Sequence, residues 1–306
     1  METGLPFWIG FNAGVLVLLA LDLFVFQRKN RTPKGWESAA ASVGWITLSL
    51  GFGLWVWHGL GPQKALQFFT GYLIEYSLSV DNLFVFVLIF SYFKVKAHQQ
   101  HRVLFWGIIG ALIMRGAMIA IGVRIVARFE WMLYCFGLFL LITGIRMFFK
   151  KEKKPDLDNF AVRFFRKWLR VTPDFHGNRF FVKLNGSWAL TPLALALVVI
   201  EVMDLVFAVD SIPAVFAVTT DSFIVYTSNV CAILGLRSLY FALAHLAGRF
   251  VYLQYGLAAV LSFIGFKMLM AGWFVIPVGI SLGIVVLCLS VSMIAGGTHK
   301  NEEAVK

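Results

Sequence analysis

The chain has 306 residues, of which 59% are hydrophobic and only 14% charged, and it carries a net charge of +11. Soluble domains average about 45–50% apolar and roughly 25% charged residues, so a soluble globular enzyme is excluded. The apolar residues fall in blocks of the roughly 20 residues that cross a ~30 Å hydrocarbon core at ~1.5 Å per residue.

Apolar runs set against breakers predict about nine membrane helices, near 6–27, 38–58, 66–93, 103–127, 131–149, 189–218, 223–247, 254–272 and 274–296. The first, Pro6 to Phe26, has no basic stretch before it and no small-x-small cleavage pattern, so it reads as a retained span and not a signal peptide. Basic residues alternate between connections. Segment 28–37 holds Arg28, Lys29, Arg31 and Lys34, segment 94–102 holds Lys94, Lys96 and Arg102, and segment 150–188 holds ten Lys and Arg against four Asp and Glu. The intervening connections hold little beyond Lys64, Arg128 and Asp221. The positive-inside bias therefore places the N-terminus in the periplasm and the C-terminus, with His299, Lys300 and Lys306, in the cytoplasm. The same bias explains the net charge without a nucleic-acid partner.

Segment 150–188 is the one sizeable soluble piece. Over 157–170, Phe160, Phe164, Phe165 and Trp168 interleave with Arg163, Arg166, Lys167 and Arg170, which predicts a basic amphipathic helix on the anionic leaflet. A docking point for a soluble partner is the other reading of the same pattern. Two strand-like runs then flank Asn185-Gly186, a dipeptide that favours a tight hairpin because both residues accept φ > 0. His98 and His101 fall in a polar connection, where solvated histidines are expected. Cys135, Cys231 and Cys288 lie far apart in apolar blocks, as small buried residues do.

Two stretches resemble each other: IEYSLSVDN (74–82) and MDLVFAVDS (203–211) align Glu75 with Asp204 and Asp81 with Asp210. ALIMR ending at Arg115 then matches ILGLR ending at Arg237, and LITGIRMFF with Gly144 matches SFIGFKMLM with Gly265. Three matches in one order, one per helix, indicate a duplicated three-helix unit. An odd number of spans per unit inverts the second copy, the arrangement in which many secondary transporters bind substrate at the repeat interface. The chain then divides into two N-terminal helices (1–62), repeat 1 (63–149), the soluble segment (150–188), repeat 2 (189–272) and a last helix with its tail (273–306).

Glu75, Asp81, Glu201, Asp204 and Asp210 all fall inside apolar helices, where each charge costs about 2.5–3.5 kcal/mol on insertion scales. Two readings compensate them. One is ion pairing with Arg115 and Arg237, helped by Lys267 and Arg146 from nearer the helix ends. The other is a cation site, with Asn82, Ser211 and Asn229 adding neutral oxygens; such a ligand set suits hard cations such as Mg2+, Ca2+ and Mn2+. Glu201 and Asp204 share a helix face. Asp81 and Asp210, equivalent in the two repeats, are expected to meet near the pseudo-two-fold axis. Pro213 is expected to break its helix beside Asp210 and free carbonyl oxygens. No GxxxxGK[ST] loop is present, so transport would be secondary, and no GxSxG or HExxH motif marks the chain as an enzyme.

The motifs GYLIEYSLSVDNLFVF and IEVMDLVFAVDSIPAVFAVTTDSFIVYTSN, with the later ILGLRSLYF and FFVKLNGSWALTPL, resemble the TerC family of bacterial membrane proteins, specifically its Alx-like branch. The family belongs with LysE-type transporters. The resemblance implies an all-α polytopic protein of the inner membrane that exports Mn2+, with Glu75, Asp81, Glu201, Asp204 and Asp210 at the family's acidic positions. Protons are the expected counter-ion, and no permanently bound cofactor is expected. A metal-sensing membrane scaffold in a tellurite-resistance-type stress complex is the alternative.

Overall fold

A computed structural model describes residues 4–27, 35–129, 131–149, 171–184, 187–244, 253–274 and 276–303. In chain order these form α1 (Leu5–Gln27), α2 (Gly35–Leu60), α3 (Pro62–Tyr92), α4 (Ala97–Arg128), α5 (Met132–Phe149), β1 (Phe181–Leu184), β2 (Ser187–Leu190), α6 (Pro192–Phe216), α7 (Ser222–Leu234), α8 (Leu236–Ala244), α9 (Leu253–Met270) and α10 (Val278–Glu303). Each expected span has a described helix. Helices α1 to α6, and α7 with α8 taken together, are long and apolar enough to cross a membrane, while α9 and α10 contribute the shorter apolar stretches Tyr255–Met270 and Val278–Ile294. The expected amphipathic helix at 157–170 lies outside the described residues.

Two helices start earlier than hydropathy suggests. Pro62 stands at the first positions of α3, where its fixed φ suits a helix start and its missing N–H costs nothing. In α4 the polar turn from Ala97 is helical, with the Gln99 side chain accepting from the Lys96 backbone N–H at 3.3 Å. That turn brings His101 onto Phe241 of α8, ring centroids 3.9 Å apart, with both ring nitrogens buried. The expectation of a solvated His101 is therefore corrected.

The seventh span is interrupted at Gly235, which packs on Trp45 of α2 and caps α7. Helix α6, by contrast, is unbroken through Pro213. Its ladder continues from the Ala217 N–H to the Pro213 carbonyl at 3.1 Å, and Ala214, Val215 and Phe216 are buried. The expected break is absent because the proline sits in the last turn, where packing holds the few residues beyond it. The hairpin forms as expected: β1 and β2 are antiparallel, with Leu184 opposite Ser187 and Phe181 opposite Leu190. It docks at the end of the bundle where α4 begins, and nearby the Gln99 amide donates to the Gly177 carbonyl at 2.7 Å.

The two repeats share one pattern of contact. α3 packs on α7 as α4 packs on α6, while α3 meets α6, α4 meets α7 and α5 meets α9. The α5–α9 seam shows the symmetry atom by atom. A Cβ on Gly144 would meet the Ser262 backbone N at 2.6 Å and the Ala258 carbonyl at 2.8 Å. One on the equivalent Gly265 would meet the Leu141 N at 2.4 Å and the Gly137 carbonyl at 2.6 Å. Leu141 aligns with Ser262 and Gly137 with Ala258, so these are the same two contacts seen from each side. Contact numbers fall along one helix as they rise along the other, so the two run antiparallel, as inverted copies must.

Only a residue without Cβ lets these backbones approach. Gly144→Ala and Gly265→Ala should each lose about 1–3 kcal/mol through overpacking, read as a lowered thermal midpoint of the detergent-purified protein. Gly10→Ala, where nothing lies within 4 Å of the added carbon, should leave that midpoint unchanged.

Candidate functional site

Glu75 and Arg115 stand near the middle of α3 and α4, and Asp204 near the middle of α6. Arg115 is 2% exposed, Glu75 0% and Asp204 5%. The guanidinium forks onto Asp204, with Nε donating to Oδ2 at 3.1 Å and Nη2 to Oδ1 at 2.9 Å. Its Nη1 donates to Glu75 Oε1, to Asn229 Oδ1 at 3.3 Å and to Ser211 Oγ at 3.4 Å. Asn229 is oriented by its own amide, which donates to the Val225 carbonyl at 3.0 Å, so its oxygen faces the guanidinium. Ser79 Oγ donates to Glu75 Oε1 at 3.4 Å. Glu75 Oε2 is buried with no hydrogen-bond partner among the described residues.

Two carboxylates thus face one guanidinium. If both acids are ionised, the cluster carries one net negative charge and an unpartnered acceptor oxygen in the protein interior. Removing one member of a buried charge pair typically costs about 3–5 kcal/mol, because the other is left uncompensated.

The other expected residues divide. Glu201 lies a turn before Asp204, but its carboxylate packs on the Cα of Gly110, so close that a Cβ there would stand 2.3 Å from Oε1, and its Oε2 is buried without a partner among the described residues. Asp210 is half-buried and lies about 120° around α6 from Asp204. Asn82 is half-buried in α3, while Asp81 is placed by its backbone alone. The expectation that Asp81 and Asp210 meet at the axis involves the Asp81 side chain, which lies outside what the structure describes. The level at which the repeats meet is set by Glu75 and Asp204. Because α3 and α6 run in opposite directions, the six residues onward to Asp81 and Asp210 lead about 9 Å each way from that level. Among the described residues no three His, Cys, Asp or Glu side chains converge as in a resident metal site.

The second arginine also departs from expectation. Arg237 Nη2 pairs with Asp22 Oδ2 of α1, with side chains 6% and 8% exposed. Asp22 escaped the sequence reading because one acid near the end of an apolar block reads as reaching toward headgroups. Its companion was missed too: the Tyr226 hydroxyl donates to Asn12 Oδ1 at 2.7 Å, a second polar tie between α1 and repeat 2. Lys267 donates to Ser281 Oγ of α10 at 2.9 Å, and Arg146 is exposed, so neither serves the acids. At the end of the bundle where α3 begins, Lys64 pairs with Asp221 at 2.7 Å. They line a polar cleft of about 540 Å3 with Gln63, Gln67 and Thr219.

This is an all-α polytopic membrane protein built on two inverted three-helix units, with a charged cluster buried where they meet. The chain belongs to the TerC family of integral membrane proteins, whose sequence profile matches residues 60–304. It is 50% identical over 289 residues to "Uncharacterized membrane protein STKORF319" of Myxococcus xanthus, covering 94% of this chain and 91% of that one. It is 47% identical over 288 residues to "Putative membrane-bound redox modulator Alx" of Escherichia coli strain K12, covering 91% and 90%. A protein of the same name from Photorhabdus laumondii is 46% identical over 297 residues, covering 94% and 93%. No solved structure gives a significant match.

The Asp22–Arg237 pair is testable by a double-mutant cycle. Asp22→Asn should cost about 3–5 kcal/mol of stability by removing the charge with which Arg237 pairs across the helices. Asp22→Asn combined with Arg237→Gln should recover most of it, measured by thermal unfolding in detergent.

Proposed function

We propose that this chain is a secondary transporter that exports divalent metal ions, Mn2+ foremost, across the bacterial inner membrane. The observation that carries the reading is the buried oxygen set at the repeat interface: Glu75 and Asp204, with Ser211 and Asn229 beside them, and Glu75 Oε2 unpartnered among the described residues. Carboxylate, hydroxyl and amide oxygens are the ligands of hard cations. A purely structural pair needs no surplus negative charge, whereas this cluster holds two acids against one base.

Further acids support passage over static binding. Asp81 and Asp210 flank the central pair on opposite sides along the bundle, and Asp210 is displaced toward the end that holds the Lys64–Asp221 cleft. With the N-terminus outside, that end is the periplasmic mouth. Moving a doubly charged ion outward against an inside-negative potential costs about 4.6 kcal/mol per 100 mV, so a driving ion is required, and protons entering as the metal leaves are the counter-flow. The name of the Alx relatives points instead to redox modulation. Here the three cysteines are free and stand on α5, α7 and α10, which offers no dithiol for such a role.

The test is reconstitution. Proteoliposomes containing the chain should move Mn2+, with a trapped pH dye reporting proton flux in the opposite direction. Glu75→Gln and Asp204→Asn should each lower Mn2+ flux at least tenfold while the protein stays folded. Cells carrying these variants should accumulate Mn2+ like cells lacking the protein. Wild-type liposomes that move no metal at any pH gradient would overturn the proposal in favour of the scaffold.

A further inference from the structure

Resting on the transport reading above, we infer that Arg115 is a tethered counter-cation: its guanidinium covers the Glu75–Asp204 pair when no metal is bound, and it withdraws when a divalent ion takes those same oxygens. Among the described residues, every atom that Arg115 contacts by hydrogen bond is an oxygen acceptor: Glu75 Oε1, both oxygens of Asp204, Ser211 Oγ and Asn229 Oδ1. The same oxygens form the hard-cation ligand set, so guanidinium and metal cannot both hold them.

An arginine is suited to this work. It does not deprotonate in proteins, so it clears the site only by moving, and its long stem permits that. With Arg115 in place and both acids ionised, the cargo-free cluster has one net negative charge; without it, two bare carboxylates would face each other in the interior, a costly state to carry across a conformational change. With a divalent ion in place the two carboxylates are neutralised, and the guanidinium is no longer needed there.

The inverted symmetry sharpens the inference. Arg237 is the counterpart of Arg115 in repeat 2, and a symmetric molecule would place both guanidiniums on the two acids, neutralising them. Asp22 of α1, which lies outside the repeats, holds Arg237 away. One base therefore covers two acids, which leaves the surplus charge that draws a cation in. Asp22 is on this view a positioning residue that sets the charge of a site it does not touch.

The experiment uses the full-length protein purified in detergent, with Mn2+ binding followed by calorimetry, and the same protein in liposomes, where Mn2+/Mn2+ exchange and net efflux are measured separately. Arg115→Gln should bind Mn2+ at least tenfold more tightly than wild type. It should keep exchange, in which the carrier always crosses with metal, and lose net efflux, in which it must return without metal. A purely structural arginine would weaken binding and both fluxes together, and equal or weaker binding by Arg115→Gln overturns the inference while leaving transport standing. If Arg115→Gln does not fold, Arg115→Lys retains the charge but loses the bidentate fork; binding at least threefold tighter than wild type supports the inference, and unchanged or weaker binding overturns it. Wild-type protein that neither binds nor moves Mn2+ overturns the transport reading and this inference with it.

Discussion

A charge inside a bilayer must find a partner, and that requirement organises this molecule more than any apolar contact does. Lipid and helix interior are equally apolar, so burial alone does not tell one helix where to sit against another. Buried carboxylates do. Glu75 on α3 and Asp204 on α6 are drawn to the Arg115 guanidinium on α4, so three helices from both repeats are fixed at one level of the bundle. Glycine adds a second constraint where it allows backbones to touch, as along the α5–α9 seam.

The molecule is nearly symmetric along the α5–α9 seam and asymmetric where it is charged. The Gly144 and Gly265 contacts repeat atom for atom across the pseudo-two-fold, whereas Arg115 and Arg237 have different fates. Glu201 adds to the asymmetry, because its carboxylate rests on Gly110 with no acid at the corresponding place in the first repeat, where Tyr72 stands. The asymmetry of Arg237 enters from α1. Through Asn12 and Asp22 this helix grips repeat 2 at two depths, so a span that could pass for a mere anchor is tied to repeat 2 by polar contacts.

Much of the fold was legible because its signals are periodic and local. Apolar block length gave the spans, and Asn185-Gly186 marked the hairpin whose strands pair as expected. The early start of α4 and the packed His101 were less visible, since a hydropathy reading stops where polar residues begin although the helix does not. Pro213 misled for a related reason. A proline's local cost is fixed, but whether it breaks a helix depends on how many residues beyond it must be held and by what, and Val215 and Phe216 are held by burial.

By itself, the sequence determined that this is a membrane protein with a duplicated, inverted core and acids in its helices, because composition, length and repetition are properties of the chain read in order. Which acid meets which base was decided only by the tertiary structure. Glu75 and Asp204 share Arg115, and Arg237 turns to Asp22 across more than two hundred residues of chain. Pairing of this kind depends on the level at which antiparallel helices cross. That level is a product of packing between distant segments, and no local pattern of residues records it.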